Sequence, residues 1–138
     1  MGNILDMQDI RNLNLFQDIT RIQTRFCFSY NNVIIFCVPK QLVMRAVGRE
    51  GQNVRRMNQI LRKRVKIIPQ PEGIIDLENF VRNIVSPIEF KEIEIKGDEV
   101  ILTAGSQSKA ALIGRDKRRL IEMHGIIKDF FGKEFRII

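Results

Sequence analysis

The spacing of apolar residues predicts the same order of elements in both halves of this 138-residue chain. Apolar positions three and four apart indicate helices, and runs rich in β-branched and aromatic residues indicate strands. In the first half this pattern predicts helices over 4–16, 41–47 and 52–63, and strands over 19–30, 33–38 and 65–69. In the second half it predicts helices over 77–84, over 107–113 and through Leu120, Met123 and Ile127, with strands over 88–95, 99–104 and 134–138. The predicted class is α+β, in helix, strand, strand, helix, helix, strand order.

The two halves also match residue by residue at an offset of 66. The segment "PQPEG", with two prolines and a glycine, divides a first unit, 1–69, from a second, 70–138. Six pairs carry the match: Val47 and Ile113, Gly48 and Gly114, Arg49 and Arg115, Glu50 and Asp116, Val54 and Leu120, Met57 and Met123. A repeat of this length indicates a duplicated structural unit. Met44, Met57 and Met123 stand at helical positions and are predicted to fill the cores.

The dipeptide Asn31-Asn32 predicts a two-residue hairpin turn between the first two strands. In that register Cys27 faces Phe36 and Cys37 faces Phe26, so the thiols lie on opposite faces of the sheet. We therefore predict two reduced, buried cysteines. The sequence contains one histidine and two cysteines without CxxC spacing, which are too few ligands for a metal site. We expect no cofactor.

Charge supplies the first functional indication. The composition, 44% hydrophobic and 28% charged, is that of an ordinary globular protein. Residues 1–68 carry 12 Lys and Arg against 4 Asp and Glu, whereas residues 69–138 carry 11 against 12. A basic excess confined to one half favours a polyanion partner, usually nucleic acid. No apolar run approaches the roughly 20 residues of a membrane span, so we expect no membrane association and a cytoplasmic location.

The stretch "VGREGQNVRRM" places Gly48 and Gly51 between two predicted helices. Glycine tolerates positive φ, so a plain helix–loop–helix turn is one explanation. The other explanation is an anion site. The glycine N–H groups carry no side-chain shield, and the next helix begins beside them with unpaired N–H groups of its own. Arg49, Arg55 and Arg56 add positive charge, while Gln52 and Asn53 supply amides for base edges or sugars.

This loop, its flanking "AVG" and "GQNVR", the element order and the repeat resemble tandem type II KH domains. The amino-acid sequence around the loop is similar to the KH segments of the archaeal-type NusA transcription factor family. The resemblance covers nearly the whole chain. It implies, for each unit, a three-stranded sheet with helices on one face. It also implies single-stranded RNA as a partner, because a GXXG loop clamps the backbone of about four nucleotides. The family context further implies RNA polymerase as a partner and a role in transcription elongation, termination or antitermination.

Carried onto this chain, the resemblance predicts an RNA-binding surface in the first unit and a weaker one in the second. The clamp and supporting helix of the first unit comprise Gly48, Arg49, Glu50, Gly51, Gln52, Asn53 and Arg55. Charge and proximity add Lys40, Arg45, Arg56, Arg64 and Lys66. In the second unit the corresponding residues are Gly114, Arg115, Lys117, Arg118 and Arg119. Glu50 brings a carboxylate into the loop, which either weakens a phosphate contact or points away.

The second loop departs from the pattern because Lys117 replaces the final glycine. A Cβ there would hinder close approach of a nucleotide backbone, so we predict a degenerate loop that contributes weakly or serves as a scaffold. The strands of this half are acidic. The alternative to RNA binding is therefore a protein-interaction adaptor that docks on RNA polymerase or a ribonucleoprotein and contacts RNA only incidentally. No catalytic set of side chains is present, so we expect no enzyme activity.

Overall fold

The structure is a computed structural model that describes residues 5–138. The chain divides into two compact units, one containing the described residues up to Gln70 and the other comprising Pro71–Ile138. Each unit is mixed α+β and contains one three-stranded sheet. In the part of the chain described, no helix combines the length and apolar character needed to cross a bilayer.

Helix α1 spans Met7–Thr20 and opens the first unit. Asp6 caps its N-terminus: the Asp6 carboxylate accepts from the Asp9 N–H at 2.7 Å, and the Asp9 carboxylate accepts from the Asp6 N–H at 3.3 Å. The predicted start at Ile4 lies outside the described residues. The predicted end at Phe16 is wrong by one turn, because the helix continues to Thr20, and the predicted strand therefore does not begin at Ile19.

The first sheet consists of β1 (Phe26–Tyr30), β2 (Val33–Val38) and β3 (Arg64–Pro69), in that spatial order. The β1 and β2 strands form an antiparallel hairpin around Asn31 and Asn32, both with positive φ, and β3 runs parallel to β2. Cys27 pairs with Phe36, and Phe26 with Cys37, so the predicted register is confirmed. Both cysteines are buried and free.

Helix α2 (Val43–Val47) follows a 3-10 turn, and α3 (Gln52–Leu61) leads into β3. Both helices pack with α1 on one face of the sheet, around the stacked rings of Phe16 and Phe36, whose centroids are 4.5 Å apart. Met57 fills this core as predicted and is fully buried. The prediction for Met44 is wrong, since 86% of this residue is exposed: α2 is only five residues long and buries Ala46 instead.

The second unit repeats this order with α4 (Leu77–Val85), β4 (Glu92–Lys96), β5 (Glu99–Thr103), α5 (Ser106–Ile113), α6 (Arg118–Phe131) and β6 (Glu134–Ile137). The sheet order is β4-β5-β6, with β4 antiparallel and β6 parallel to β5. The first strand of this sheet begins at Glu92, not at residue 88 as predicted. Phe80 packs against Phe130, with ring centroids 4.8 Å apart, and Met123 is buried as predicted.

The offset of 66 found in the sequence also relates the two units in structure. Strand β4 lies 66 positions after β1, and the buried Met123 lies 66 positions after the buried Met57. The chain is therefore built from two repeated units of one topology.

Candidate nucleic-acid interface

The glycine loop of the first unit is an exposed turn between α2 and α3. Arg49 and Glu50 are exposed, and Gly48 and Gly51 are half-buried. Gly48 has φ +84° and ψ +167°, a combination that is essentially restricted to glycine. Glu50 at φ +55° and Gly51 at φ +73° both adopt the left-handed conformation. The loop is thus a sharp bend whose two central side chains are exposed among the described residues.

Hydrogen bonds within the loop use the N–H groups of both glycines. The Gly48 N–H donates to the Met44 carbonyl at 3.1 Å, and the Gly51 N–H donates to the Gly48 carbonyl at 3.0 Å. The two glycine N–H groups, predicted to lie unshielded beside an anion site, are therefore already used by hydrogen bonds within the protein. A phosphate at this bend depends chiefly on the basic side chains around it.

Exposed cations surround the first loop. Arg45 on α2, Arg49 in the loop and Arg56 on α3 are exposed, as are Lys40 in the turn before α2 and Gln52 at the start of α3. Within residues 5–138, Arg45, Arg49 and Arg56 form no ion pair with a carboxylate. Their charge is therefore not neutralised by the protein, which favours attraction of a polyanion.

Arg64 and Lys66, which charge and proximity add to the predicted surface, lie on β3. Val65 and Ile67 of this strand pack into the core beneath the helices, so the alternation of side chains directs Arg64 and Lys66 to the opposite face of the sheet. Burial lowers the pKa of the Lys66 ammonium, and the nearby Arg64 lowers it further. The structure does not bring these two residues together with the cations of α2 and α3.

Two predicted contact residues, Asn53 and Arg55, are engaged by the loop itself. The Asn53 side-chain amide is half-buried and donates to the Ala46 carbonyl at 3.1 Å. The Arg55 guanidinium is exposed and donates to the Glu50 carbonyl. Nothing in the local sequence pattern predicts these contacts, because they depend on how the chain bends between α2 and α3.

The loop of the second unit has the same backbone conformation as the first. Gly114 has φ +75° and ψ +172°, and Asp116 has φ +56°, close to Gly48 and Glu50. Lys117, at φ +60° and ψ +22°, occupies the left-handed position of Gly51. The loss of the final glycine has therefore left the shape of the bend intact. Four side chains at this bend, those of Arg115, Asp116, Lys117 and Arg118, are exposed, while Arg119 is half-buried.

The structure also bears on metal ligands and reactive thiols. In the described range, 5–138, no group of three or more His, Cys, Asp and Glu side chains is arranged to hold a metal ion. Burial raises the pKa of the Cys27 thiol to about 12, so this cysteine is an unreactive neutral group at physiological pH.

Fold and site together define a class of protein: two repeated α+β units, each with an exposed basic bend between its second and third helices. The chain is similar to two curated proteins named "Probable transcription termination protein NusA". It is 28% identical to that of Methanococcus vannielii over 122 residues, and 25% identical to that of Methanocaldococcus jannaschii over 128 residues. These alignments cover 86% and 90% of this chain, and 68% of each relative. The resemblance to archaeal NusA proteins is confirmed by these relatives.

A solved structure gives the same picture of the fold. The crystal structure of APE1850 matches with a TM-score of 0.65 at 22% identity and covers 97% of this chain and 99% of that one. At this identity the match supports the fold alone. No family model matches the chain.

Proposed function

We propose that this protein is a non-enzymatic, single-stranded RNA-binding protein composed of two type II KH domains. The names of its relatives support a role in transcription termination. The resemblance to the NusA family extends this role to elongation and antitermination together with RNA polymerase. The element order of each unit and the parallel pairing of its second and third strands support the KH assignment, as does the glycine bend between the two helices.

The observation that carries the proposal is the first loop. Its backbone is sharply bent, its central side chains are exposed, and the arginines at positions 45, 49 and 56 have no carboxylate partner among residues 5–138. A sugar-phosphate chain placed along this bend meets several cations and little side-chain bulk. Hydrogen bonds from charged donors to phosphate contribute about 1.5 to 3 kcal/mol each to affinity and fix the position of the backbone.

Binding of short single-stranded RNAs at two salt concentrations tests the proposal. We expect affinity to fall as salt rises, with a slope of about 0.7 per neutralised phosphate. The double variant Arg49→Asp/Glu50→Asp is expected to bind about tenfold more weakly or worse, because it replaces a phosphate contact by repulsion. Circular dichroism checks that it folds.

The matched control is Arg11→Asp, which makes the same change of charge at an exposed position of α1. Its affinity should change much less than that of the loop variant. Equal losses in the two variants would mean that net charge alone drives binding and that the loop is not a clamp. Unchanged affinity in the loop variant would refute the assignment directly.

The second candidate function, a protein-interaction adaptor, is favoured by the outer strand of the second sheet. Strand β4 lies at the edge of that sheet, and its side chains Glu92, Glu94 and Ile95 are exposed. Glu94 forms an ion pair with Lys96 at 3.8 Å, and the two glutamates and one lysine of this strand leave it a net charge of −1. This negative charge disfavours RNA and suits a basic protein partner. The test is capture of RNA polymerase by the tagged protein after nuclease treatment. If the wild type and the Arg49→Asp/Glu50→Asp variant both capture the polymerase, this function is favoured over RNA binding.

A further inference from the structure

Two side chains of α3 bind backbone carbonyls on either side of the first glycine. Asn53 Nδ2 donates to the Ala46 carbonyl, at the end of α2, and Arg55 Nη1 donates to the Glu50 carbonyl, inside the loop. We refer to Asn53 and Arg55 as the latch. Together they connect the start of α3 to both the entry and the middle of the bend.

The latch residues also pack against the two glycines. A Cβ built on Gly48 would lie 2.8 Å from Asn53 Nδ2, so the Asn53 amide occupies the space that the missing side chain leaves. A Cβ built on Gly51 would lie 3.4 Å from Arg55 Nη1, an ordinary contact distance. The absence of a side chain at Gly48 is therefore needed for the Asn53 hydrogen bond as well as for the backbone conformation.

The second loop has the same bend without these residues. At the offset of 66, Arg119 replaces Asn53 and Ile121 replaces Arg55. The aliphatic part of Arg119 packs against Gly114, where a Cβ would lie 2.6 Å from Arg119 Cγ. Ile121 is 66% exposed and has no hydrogen-bond donor in its side chain. The Asp116 carbonyl therefore receives no hydrogen bond from position 121.

We propose that Arg55 is a positioning residue and that the latch holds the first loop ready for RNA, which makes the first unit the principal binding site. This inference rests on the proposed function. Within the four-residue loop itself, the second unit carries two exposed cations, Arg115 and Lys117, against Arg49 in the first, so the charge of the loop does not favour the first. A loop already held in its bound shape loses less conformational freedom when ligand binds, and its affinity rises accordingly.

The variants Arg55→Ile and Arg56→Ile separate positioning from direct contact. Each removes one positive charge from neighbouring exposed positions of α3, but only Arg55 contacts a loop carbonyl. For Arg55→Ile we expect about a fivefold loss of RNA affinity, the effect of one hydrogen bond, with the same dependence of log Kd on log salt as the wild type. A slope reduced by about 0.7 would instead identify Arg55 as a phosphate contact and overturn the proposal. Unchanged affinity would overturn it as well.

Amide hydrogen exchange of the free protein supplies a readout that does not involve RNA. The Gly51 N–H, which donates to the Gly48 carbonyl, should exchange several-fold faster in Arg55→Ile than in Arg56→Ile. Equal exchange rates would show that no latch exists. Should the wild type bind no RNA, the proposed function fails, and the exchange comparison still decides whether Arg55 holds the loop.

Discussion

Replacement of Gly48 by alanine is the sharpest test of the loop geometry. Gly48 has φ +84° and ψ +167°, a region in which a side chain costs about 1 to 3 kcal/mol. The new Cβ would also lie 2.8 Å from Asn53 Nδ2 and 3.1 Å from the Asn53 backbone nitrogen. The Asn53 side chain must move, and the hydrogen bond to Ala46 is lost, which costs about 0.5 to 1.5 kcal/mol more. We expect Gly48→Ala to destabilise the first unit by about 1.5 to 4.5 kcal/mol.

Gly51→Ala is the matched comparison, because it changes the other glycine of the same loop. Gly51 has φ +73° and ψ +18°, a left-handed conformation that an alanine adopts at a cost of about 1 to 2 kcal/mol. The added Cβ meets Arg55 at an ordinary contact distance. The second unit keeps glycine at 114 but carries Lys117 in the left-handed position, which agrees with this ranking.

Urea unfolding monitored by tyrosine fluorescence measures both variants. Tyr30 is the only tyrosine in a chain without tryptophan, and it is buried in β1, so its emission reports on the first unit. The free energy of unfolding should fall further for Gly48→Ala than for Gly51→Ala, by about 1.5 kcal/mol at the midpoints of the two ranges. Equal losses, or a loss below about 1 kcal/mol for Gly48→Ala, would refute the argument from backbone conformation.

Three further predictions concern stability, thiol reactivity and pH. Met57→Ala should lower the free energy of unfolding in urea by about 2 to 5 kcal/mol, because it empties a fully buried site. Met44→Ala changes a residue that is 86% exposed and should alter stability by less than about 0.5 kcal/mol. Similar losses in the two variants would contradict the assigned core. Neither cysteine of the native protein should react with a thiol reagent at pH 8, and both should react in urea, since burial raises both thiol pKa values; rapid native labelling would contradict this. The pKa of Cys27 is about 12 in the folded protein against 9.0 for an ordinary thiol, so the thiol ionises first in the unfolded chain. The stability that this difference contributes to the folded state is therefore complete below pH 9 and is lost as the pH rises toward 12. Alkaline unfolding of Cys27→Val should accordingly show a weaker pH dependence than the wild type over that range; an identical profile would contradict the sign.

Local pattern predicted much of this fold. The Asn31-Asn32 turn and the alternation around it gave the register of the first hairpin, because a two-residue loop leaves one pairing that keeps apolar side chains on the core face. The internal repeat gave the topology of the second unit. The glycines at 48 and 114 marked both bends, since few other residues adopt that backbone conformation.

The end of α1 required tertiary information. Ile19 and Thr20 are β-branched and favour a strand locally, but Asn12, Phe16 and Thr20 share one face of a helix and are buried together. The Thr20 hydroxyl donates to the Phe16 carbonyl at 2.8 Å, and Arg21 ends the helix in the left-handed conformation. Burial of a helical face outweighed the intrinsic preference of two residues.

For this protein, the sequence by itself determined the class of fold, the repeat, the hairpin register and the position of both bends, because each depends on contacts between near neighbours or on backbone preference. Only the tertiary structure decided that Met44 is exposed, that the glycine N–H groups are already paired, and that Asn53 and Arg55 bind loop carbonyls. These features depend on the path of the chain between two helices, which brings together side chains and carbonyls whose spacing in the sequence carries no signal.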